Sequence, residues 1–458
     1  MAQWIEHRTS DPRVGGSSPS GCIFYTIVCS VWLYGGVPKR DFSRFCFFSQ
    51  MGIMLAISPS TFSASQTDAR DITLMSYNIL LPNASAGWWV YKYYAPEQQE
   101  YSTWEYRKQL FVSQFAHNTD LICLQECAEE SYREDLDFLL DRYDLLCHKR
   151  ANIAMVTGWK RERFSLIAEY HENRCLVSIL REMSGLYIAV VNCHFSAGRH
   201  PRERFQQLYQ ALDRVRKEKN KQPLDLIILA GDCNASPNGT AVQRFLEDGV
   251  IETRFREDRY PNVQITSTDK EHSLGRFVDC YREIRDGASM WARNSTVLMV
   301  DEKGRWQRRF MEAMEELFSI YTQSSHMSVE EMERWIVECN QGLRGSEYRN
   351  ALERMTEKGL SKEDFIEIHK TEVLEGKQWA VYNFLAQHNI TLGVPKPLIG
   401  KYQLDQVWLR SAVYECTGVV PPISIDHKQK IEQGDFPPNK WHPSDHFPLY
   451  VRFSKRMF

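Results

Sequence analysis

The stretch Leu229-Ala-Gly-Asp-Cys-Asn-Ala-Ser-Pro237 decides the reading of this chain. The apolar run from Leu224 to Ala230 reads as a buried strand that Gly231 stops, and two polar side chains, Asp232 and Asn234, follow at its end. The same arrangement recurs on both sides. Upstream, Asn78 interrupts the strand run Ile72 to Leu80 within Met75-Ser-Tyr-Asn-Ile-Leu80. Glu126 closes Ile122-Cys-Leu-Gln-Glu126, after the apolar run Asp120 to Gln125, and Asn192-Cys-His194 closes the run Leu186 to Cys193. Downstream, Asp405 lies in Gln403-Leu-Asp-Gln-Val-Trp408 within a strand pattern from Tyr402 to Arg410, and Ser444-Asp-His446 precedes the strand pattern Pro448 to Phe453. Amphipathic patterns predict helices over Trp104 to Asn118 and Pro201 to Lys219, and the Pro-rich segment Val420 to Pro443 reads as a loop. Strand and helix signals that alternate in this way predict an α/β domain, and polar residues at successive strand ends can meet at one edge of a sheet.

Composition narrows the partners. With 56 Lys and Arg against 59 Asp and Glu the net charge is -3, so no global basic field draws in nucleic acid and any such contact must be local. The 43% apolar and 25% charged residues suit a large soluble core and exclude a polytopic membrane protein. The 12 cysteines are scattered singly, without CxxC pairs or Cys/His clusters, which argues against a zinc site or a disulfide framework and for a reducing compartment.

Glu126, Asp232 and Asp445 are hard oxygen donors suited to Mg²⁺ or Mn²⁺, while Asn78 and Asn234 orient water or phosphate without adding charge. His194 and His446 can donate to phosphate oxygens, and Asp405 can hold His446 in one tautomer. Taken singly, each Asn or Asp is an ordinary turn former. Taken together they suit phosphoryl transfer.

The strings SYNIL, WEYR (closing Tyr94 to Arg107), DLICLQE, NCHF with Pro201, Arg204 and Gln207, LAGDCNASP, LDQVW and SDHFPL occur in this order. In wording and order the chain resembles the endonuclease/exonuclease/phosphatase superfamily, and within it the carbon catabolite repressor deadenylase and nocturnin branch, over about Thr73 to Tyr281 and Tyr402 to Phe453. The resemblance implies a four-layer α/β (α+β) sandwich of two stacked, mainly antiparallel sheets flanked by helices, with the site at one edge. It implies Glu126 as principal metal ligand, with Asn78 and Asp445 in the same metal shell, and His194, Asp232, Asn234, Asp405 and His446 as the catalytic set. Of these, His194, Asn234 and His446 would face the substrate phosphate. Three departures leave substrate choice open: Cys193-His-Phe195 for Thr-His-Leu, Asp232-Cys-Asn234 for Asp-Phe-Asn, and Gln406 for an aromatic residue.

From Trp306 to His388 the texture turns helical, without proline, so an all-helical insertion is expected over residues 300–391 between catalytic parts 71–299 and 392–458. It resembles a pair of EF-hand units. With Glu331 and Asp364 at loop position 12, Met327 and Leu360 fall at position 8. Calcium ligands are mostly missing: positions 1, 3 and 5 are Ile320, Thr322 and Ser324 in the first loop and Glu353, Met355 and Glu357 in the second, with Ser325 and Lys358 in place of the turn glycine. Calcium binding is therefore not expected, and Ser328 with Glu331, and Ser361 with Asp364, make helix capping boxes without a metal. The expected apolar face of the insertion is Phe310, Met314, Leu317, Phe318, Met332, Trp335 and Ile336, and the module is expected to be structural or partner-binding.

Residues 1–70 read differently. The apolar runs Cys22 to Tyr34 and Phe45 to Ile57 are short for a membrane span, and the opening up to Ser20 resembles a translated transfer-RNA gene, so a start at Met51 or Met54 is expected, followed by a Ser/Thr-rich linker from Ser58 to Asp71. Three functions compete: an Mg²⁺-dependent RNA 3' exonuclease of deadenylase type, with Arg199, Arg202 and Arg204 available for phosphates or merely solvated on a helix face; a phosphatase of a small phosphorylated metabolite or dinucleotide; and a non-catalytic scaffold that binds proteins through the insertion. The expected setting is cytoplasmic or nuclear, the N-terminal apolar runs leaving an anchor or targeting signal as the alternative, with RNA or a phosphorylated nucleotide as substrate and no stable membrane insertion.

Overall fold

The computed structural model describes residues 55–56, 70–80, 90–94, 96–115, 119–149, 153–284, 287–301, 303–393 and 399–456. The expectations on the N-terminal apolar runs and start codon lie outside them, apart from Leu55–Ala56 near the end of the second run. Twelve main strands form two sheets: β1 (Ile72–Asn78), β2 (Leu121–Cys127), β3 (Tyr143–Cys147), β4 (Ala154–Lys160), β5 (Phe164–Glu172), β6 (Cys175–Glu182), β7 (Tyr187–His194), β8 (Leu226–Asp232), β9 (Val278–Asp279), β10 (Asp405–Ser411), β11 (Tyr414–Val420) and β12 (Leu449–Lys455). One sheet runs β11-β12-β1-β2-β4-β3, with Leu55–Ala56 at its outer edge, and the other runs β9-β10-β8-β7-β6-β5. Pairing is antiparallel except β1 with β2, β7 with β8, and Leu55–Ala56 with β11.

Alternation along each strand builds the layers. Ile72 and Leu74 of β1, Leu121 and Cys123 of β2, Ile188 and Val190 of β7, and Leu226, Ile228 and Ala230 of β8 meet between the sheets. The intervening residues face outward: Met75, Tyr77, Ile122 and Leu124 pack against Phe111 of helix α1 (Trp104–Gln114). On the other side Ala189, Val191, Ile227 and Leu229 pack against Phe205, Leu208, Leu212 and Val215 of α2 (Pro201–Lys219), and against α3 (Ala241–Asp248). Asn192 fastens the sheets to each other: its amide donates to the carbonyls of Leu124 and Val156, and its carbonyl accepts from Gln125 Nε2 at 2.8 Å.

Four boundaries differ from the sequence reading. The first helix ends at Gln114, capped by Phe115, rather than at Asn118. Gly231 does not stop the strand, which continues to Asp232. The expected strand from Tyr402 is two, Ile399–Tyr402 paired with Met290–Arg293, and β10 beginning at Asp405. The loop Val420 to Pro443 contains a helix, Ile425–Glu432, whose first turn is capped by Ser424.

Among the described residues five α-helices lie between β9 and β10: α4 (Arg308–Tyr321), α5 (Val329–Asn340), α6 (Gly345–Arg354), α7 (Lys362–Leu374) and α8 (Gln378–Gln387). They bury one apolar cluster that includes Phe310, Met314, Leu317, Phe318, Met332, Trp335 and Ile336. Ser328 and Glu331 form the full capping box at the start of α5, and Ser361 caps α7. The segments before α5 and α7 pair antiparallel, Met327 against Leu360.

His369 of α7 sits among the rings of Trp335, Phe365 and Phe384, with both ring nitrogens buried and unbonded. Burial lowers its pKa to about 4. A base whose folded pKa is depressed contributes stability that is full above its unfolded pKa and is lost as pH falls below it. Between pH 7 and pH 5 this one group should remove about 2 kcal/mol. Thermal or urea unfolding of the His369→Phe protein across this range should show a correspondingly shallower acid-side loss, and an unchanged slope would mean that His369 is not held neutral.

Candidate active site

The site is built by strand register. His194 ends β7 opposite Asp232 at the end of β8, and Asp405 starts β10 opposite the same Asp232. Cross-strand partners project from one face, so three polar side chains from distant sequence stand side by side. Gly231 makes this possible: at φ 145° it lies so close beneath β7 that a Cβ would sit 2.0 Å from the Cys193 carbonyl oxygen.

Glu126 arrives by another route. The pairing of β2 with β4 shifts between Leu124 and Cys127, and Glu126 takes φ 56°, a left-handed conformation that a residue with a Cβ adopts at a cost. The bulge turns its carboxylate toward β1, where Asn78 Nδ2 donates to Glu126 Oε1 at 3.1 Å and to Asp232 Oδ2 at 3.2 Å. The side-chain Oδ1 of Asn78 is turned away and accepts from Leu80 N–H. His194 Nε2 lies 3.7 Å from both Glu126 Oε1 and Asp232 Oδ2. His446 Nε2 lies 3.9 Å from Asp232 Oδ2, while its Nδ1 is 2.6 Å from Asp405 Oδ2. Asn234, at φ 46°, donates its backbone N–H to Asp232 Oδ1 and its side-chain amide to the Phe195 carbonyl. Asp445 is buried beside them with Oδ1 unbonded. All eight residues expected from the sequence therefore gather in one place.

Their environments drive the two histidines apart. Burial lowers His194 to about 4, against the pull of Asp232, so it is neutral. Burial also disfavours a charge on His446, but Asp405 and Asp445 outweigh it and hold its pKa well above the ordinary value. The carboxyl of Glu126 is pushed up to about 7 by burial and by Asp445, although the Asn78 amide opposes this. Burial likewise raises Asp445. Crowded carboxylates with unbonded buried oxygens, on Asp405 as well as Asp445, fit a divalent cation. Atoms of Asp232, Asp405 and His446 lie within 4.8 Å of one another. His446 Nδ1 is bonded to Asp405 Oδ2, so the carboxylates outside that pair are those of Glu126, Asp232 and Asp445, all hard oxygen donors.

Other supporting residues carried no separable sequence signal. Ser289 Oγ donates to Asp405 Oδ2 at 2.6 Å. Buried Arg107, within the WEYR string, donates to the carbonyls of Ile79, Leu80 and Pro443 and so ties the segments that carry Asn78 and Asp445. Arg204 corrects the reading of a solvated or phosphate-facing arginine: it is 2% exposed and donates to Ser196 O and Gly198 O beside Glu257. Arg199 and Arg202 are exposed.

The site opens into a cleft of about 790 Å³ lined by Glu126, His194, Asp232, Asn234, Asp445 and His446 on one side and by Leu374, Glu375, Trp379 and Tyr382 of the helical segment on another. No helix among the described residues is long and apolar enough to cross a membrane.

A two-sheet sandwich with a carboxylate, amide and histidine cluster at one edge defines a class of phosphoester hydrolases. The model of the Endonuclease/Exonuclease/phosphatase family matches residues 75–446, and the chain belongs to that family. It is a hydrolase of phosphoester bonds. No curated protein matches it in sequence. Solved structures of similar fold include ANGEL2, described as a 2',3'-cyclic phosphatase (14% identity, TM-score 0.48, 84% of this chain and 95% of that one). The human Nocturnin catalytic domain with bound sulfate is another (14%, 0.41, 85% and 96%), as is truncated Caenorhabditis elegans TDP2 (12%, 0.39, 84% and 97%).

Two outcomes test the site. Glu126→Gln removes a charge from a crowded acidic cluster without changing volume, so turnover should fall by a factor of roughly a hundred or more while the melting temperature holds or rises; wild-type turnover in this variant would remove Glu126 from the site. Asp405 and His446 should behave as a unit, the Asp405→Asn/His446→Ala double variant being little worse than the worse single one in kcat/KM. Multiplying losses would show that they act separately.

Proposed function

We propose that this chain is an Mg²⁺- or Mn²⁺-dependent phosphodiesterase acting on nucleotide substrates, with 3' exoribonuclease action of the deadenylase type as its leading form. The observation that supports this reading best is the closed ring of Asn78, Glu126, His194 and Asp232, extended from Asp232 through His446 to Asp405, in which carboxylates alternate with one neutral and one charged imidazole. Glu126 and Asp445 would hold the ion, with Asn78 bracing Glu126. Bound there, the ion supplies positive charge for a phosphate oxygen. Asp232, fixed through Oδ1 by the Asn234 N–H, takes the proton of the attacking water. The charged His446 donates from Nε2 to an equatorial phosphate oxygen, and Asp405 keeps its Nδ1 proton in place. His194 donates from the neutral state, which leaves no second cation to repel the ion.

A second reading, a phosphatase of a small phosphorylated metabolite or dinucleotide, is favoured by the cleft volume, which falls in the range of small-molecule pockets. The helical segment is best read as a degenerate EF-hand-like insertion over residues 300–391: Met327 pairs with Leu360, as position 8 of two paired loops would, while the loop ligands are mostly missing.

Incubating the full chain with Mg²⁺ and oligo(A), 3'-phosphorylated oligo(A) or adenosine 3',5'-bisphosphate separates these readings. Stepwise release of AMP from oligo(A) is the expected result, release of inorganic phosphate alone favours the second reading, and inertness toward all three with either metal defeats both.

A further inference from the structure

The helical segment does more than sit beside the catalytic domain. Lys92, 10% exposed, reaches from the catalytic part into it and donates to Asn340 Oδ1 at 2.5 Å and Glu347 Oε1 at 3.1 Å. Tyr91 Oη donates to the Cys339 carbonyl, Asn383 Nδ2 to the Lys92 carbonyl, and Tyr93 stacks on Trp379 with ring centroids 3.6 Å apart. These contacts fix α8 as a wall of the cleft.

On that wall Tyr382 faces Arg293. The guanidinium lies 5.2 Å from the Tyr382 ring centroid and 5.3 Å from that of Phe436, with Nη1 3.5 Å from the Tyr382 hydroxyl. Aromatic neighbours hold a guanidinium flat and orient its edge, yet leave its N–H donors largely unspent. Among the described residues no carboxylate pairs with Arg293, in contrast to Arg204 in the same cleft, which is spent on backbone carbonyls and Glu257. Arg293 is half-buried and lines the cleft together with His446. Met290, three residues earlier on the strand Met290–Arg293, bridges to His446. At ~3.3 Å per residue, about 10 Å of strand separates Arg293 from Met290, the residue bridged to His446.

We propose that Arg293, positioned by Tyr382 of the helical segment and by Phe436, binds a second phosphate of the substrate, distant from the scissile one. The reading rests on the proposed phosphoester site and narrows its substrate to nucleotides that carry two phosphate groups, either a second terminal phosphate or the next internucleotide link. A guanidinium in a partly dry, ring-lined niche prefers such an anion to water, because its bidentate bonds to phosphate are charge-assisted.

Equilibrium binding to the full chain in EDTA, where turnover does not obscure affinity, tests this separately from catalysis. Adenosine 3',5'-bisphosphate and pApA report the two sources of the second phosphate, and adenosine 3'-monophosphate is the control. Arg293→Ala should weaken at least one of the first two by roughly ten- to a hundredfold and leave the control within about twofold. Tyr382→Ala should show a smaller loss in the same pattern, and Tyr382→Phe, which keeps the ring, should restore most of it. Loss for the bisphosphate alone assigns a terminal phosphate, and loss for pApA alone assigns the internucleotide link. Equal weakening of all three ligands, no effect in any, or no binding of either two-phosphate probe overturns the proposal. Arg293-dependent binding by a protein that hydrolyses nothing would instead leave the subsite standing and defeat the proposed function.

Discussion

The register that sets His194 and Asp405 on either side of Asp232 is the constraint on which the rest of the structure depends. A parallel neighbour on one side and an antiparallel neighbour on the other bring residues 38 and 173 positions away from Asp232 to adjacent places on one face. A slip of one residue in either pairing would turn His194 or Asp405 to the opposite face, into apolar packing. Two features secure the register. Gly231 admits the Cys193 carbonyl where no side chain fits, and the Asn192 amide fastens β7 to the other sheet through Leu124 and Val156. The Cys193 and Cys233 thiols, 3.9 Å apart, then fill the space behind the catalytic face with small apolar volume.

The second sheet supplies what the first lacks. Strand β2 contributes Glu126 only because its ladder breaks, and the left-handed backbone at Glu126 is local strain held by regular pairing on both sides. Strand β12 follows the segment Ser444 to His446, and Ser444 Oγ donates to the Asn78 carbonyl, so Asp445 and His446 are delivered against β1. Neither sheet holds a complete set. The cluster exists only where the two edges meet, and the inter-sheet core therefore fixes distances between acid, amide and imidazole as much as it stabilises the fold.

What was legible in the sequence follows the same physics. Asn78, Glu126, His194, Asp232, Asn234, Asp405, Asp445 and His446 could be read because polar residues at the ends of apolar runs stand out against period-two patterning, and because the strings that contain them have a family order. Boundaries were read less well where a neighbour decided them, as at Gly231, whose role is close approach to β7 rather than termination. Arg204 looked like one arginine of a charged helix, and nothing in its local sequence reports that Ser196, Gly198 and Glu257 close around it. Trp379, Tyr382 and Arg293 could not be read as parts of the site at all. Their meeting depends on a helical segment folding back on the short helix Val90–Tyr93, a contact between residues almost 300 positions apart.

That fold-back has an electrostatic reason to persist. Glu347 is buried within the helical segment, and although burial alone would raise its pKa, Lys92 and its hydrogen bond hold it down at about 2. The same pairing keeps Lys92 charged although it, too, is buried. A buried pair of this kind contributes little net stability relative to apolar side chains, but separating its members leaves a charge stranded in a dry environment on each side. Lys377, bonded to Glu372 at 2.7 Å, only partly compensates within the helical segment itself. The segment is thus not a passive graft: the charge that completes its interior comes from the residue next to Tyr93, which lines the catalytic cleft. A displacement of the whole helical segment from the helix Val90–Tyr93 would separate Glu347 from Lys92, release the Tyr93–Trp379 stack and withdraw Tyr382 from Arg293 together, so the shape of the cleft and the seating of the helical segment are one structural variable.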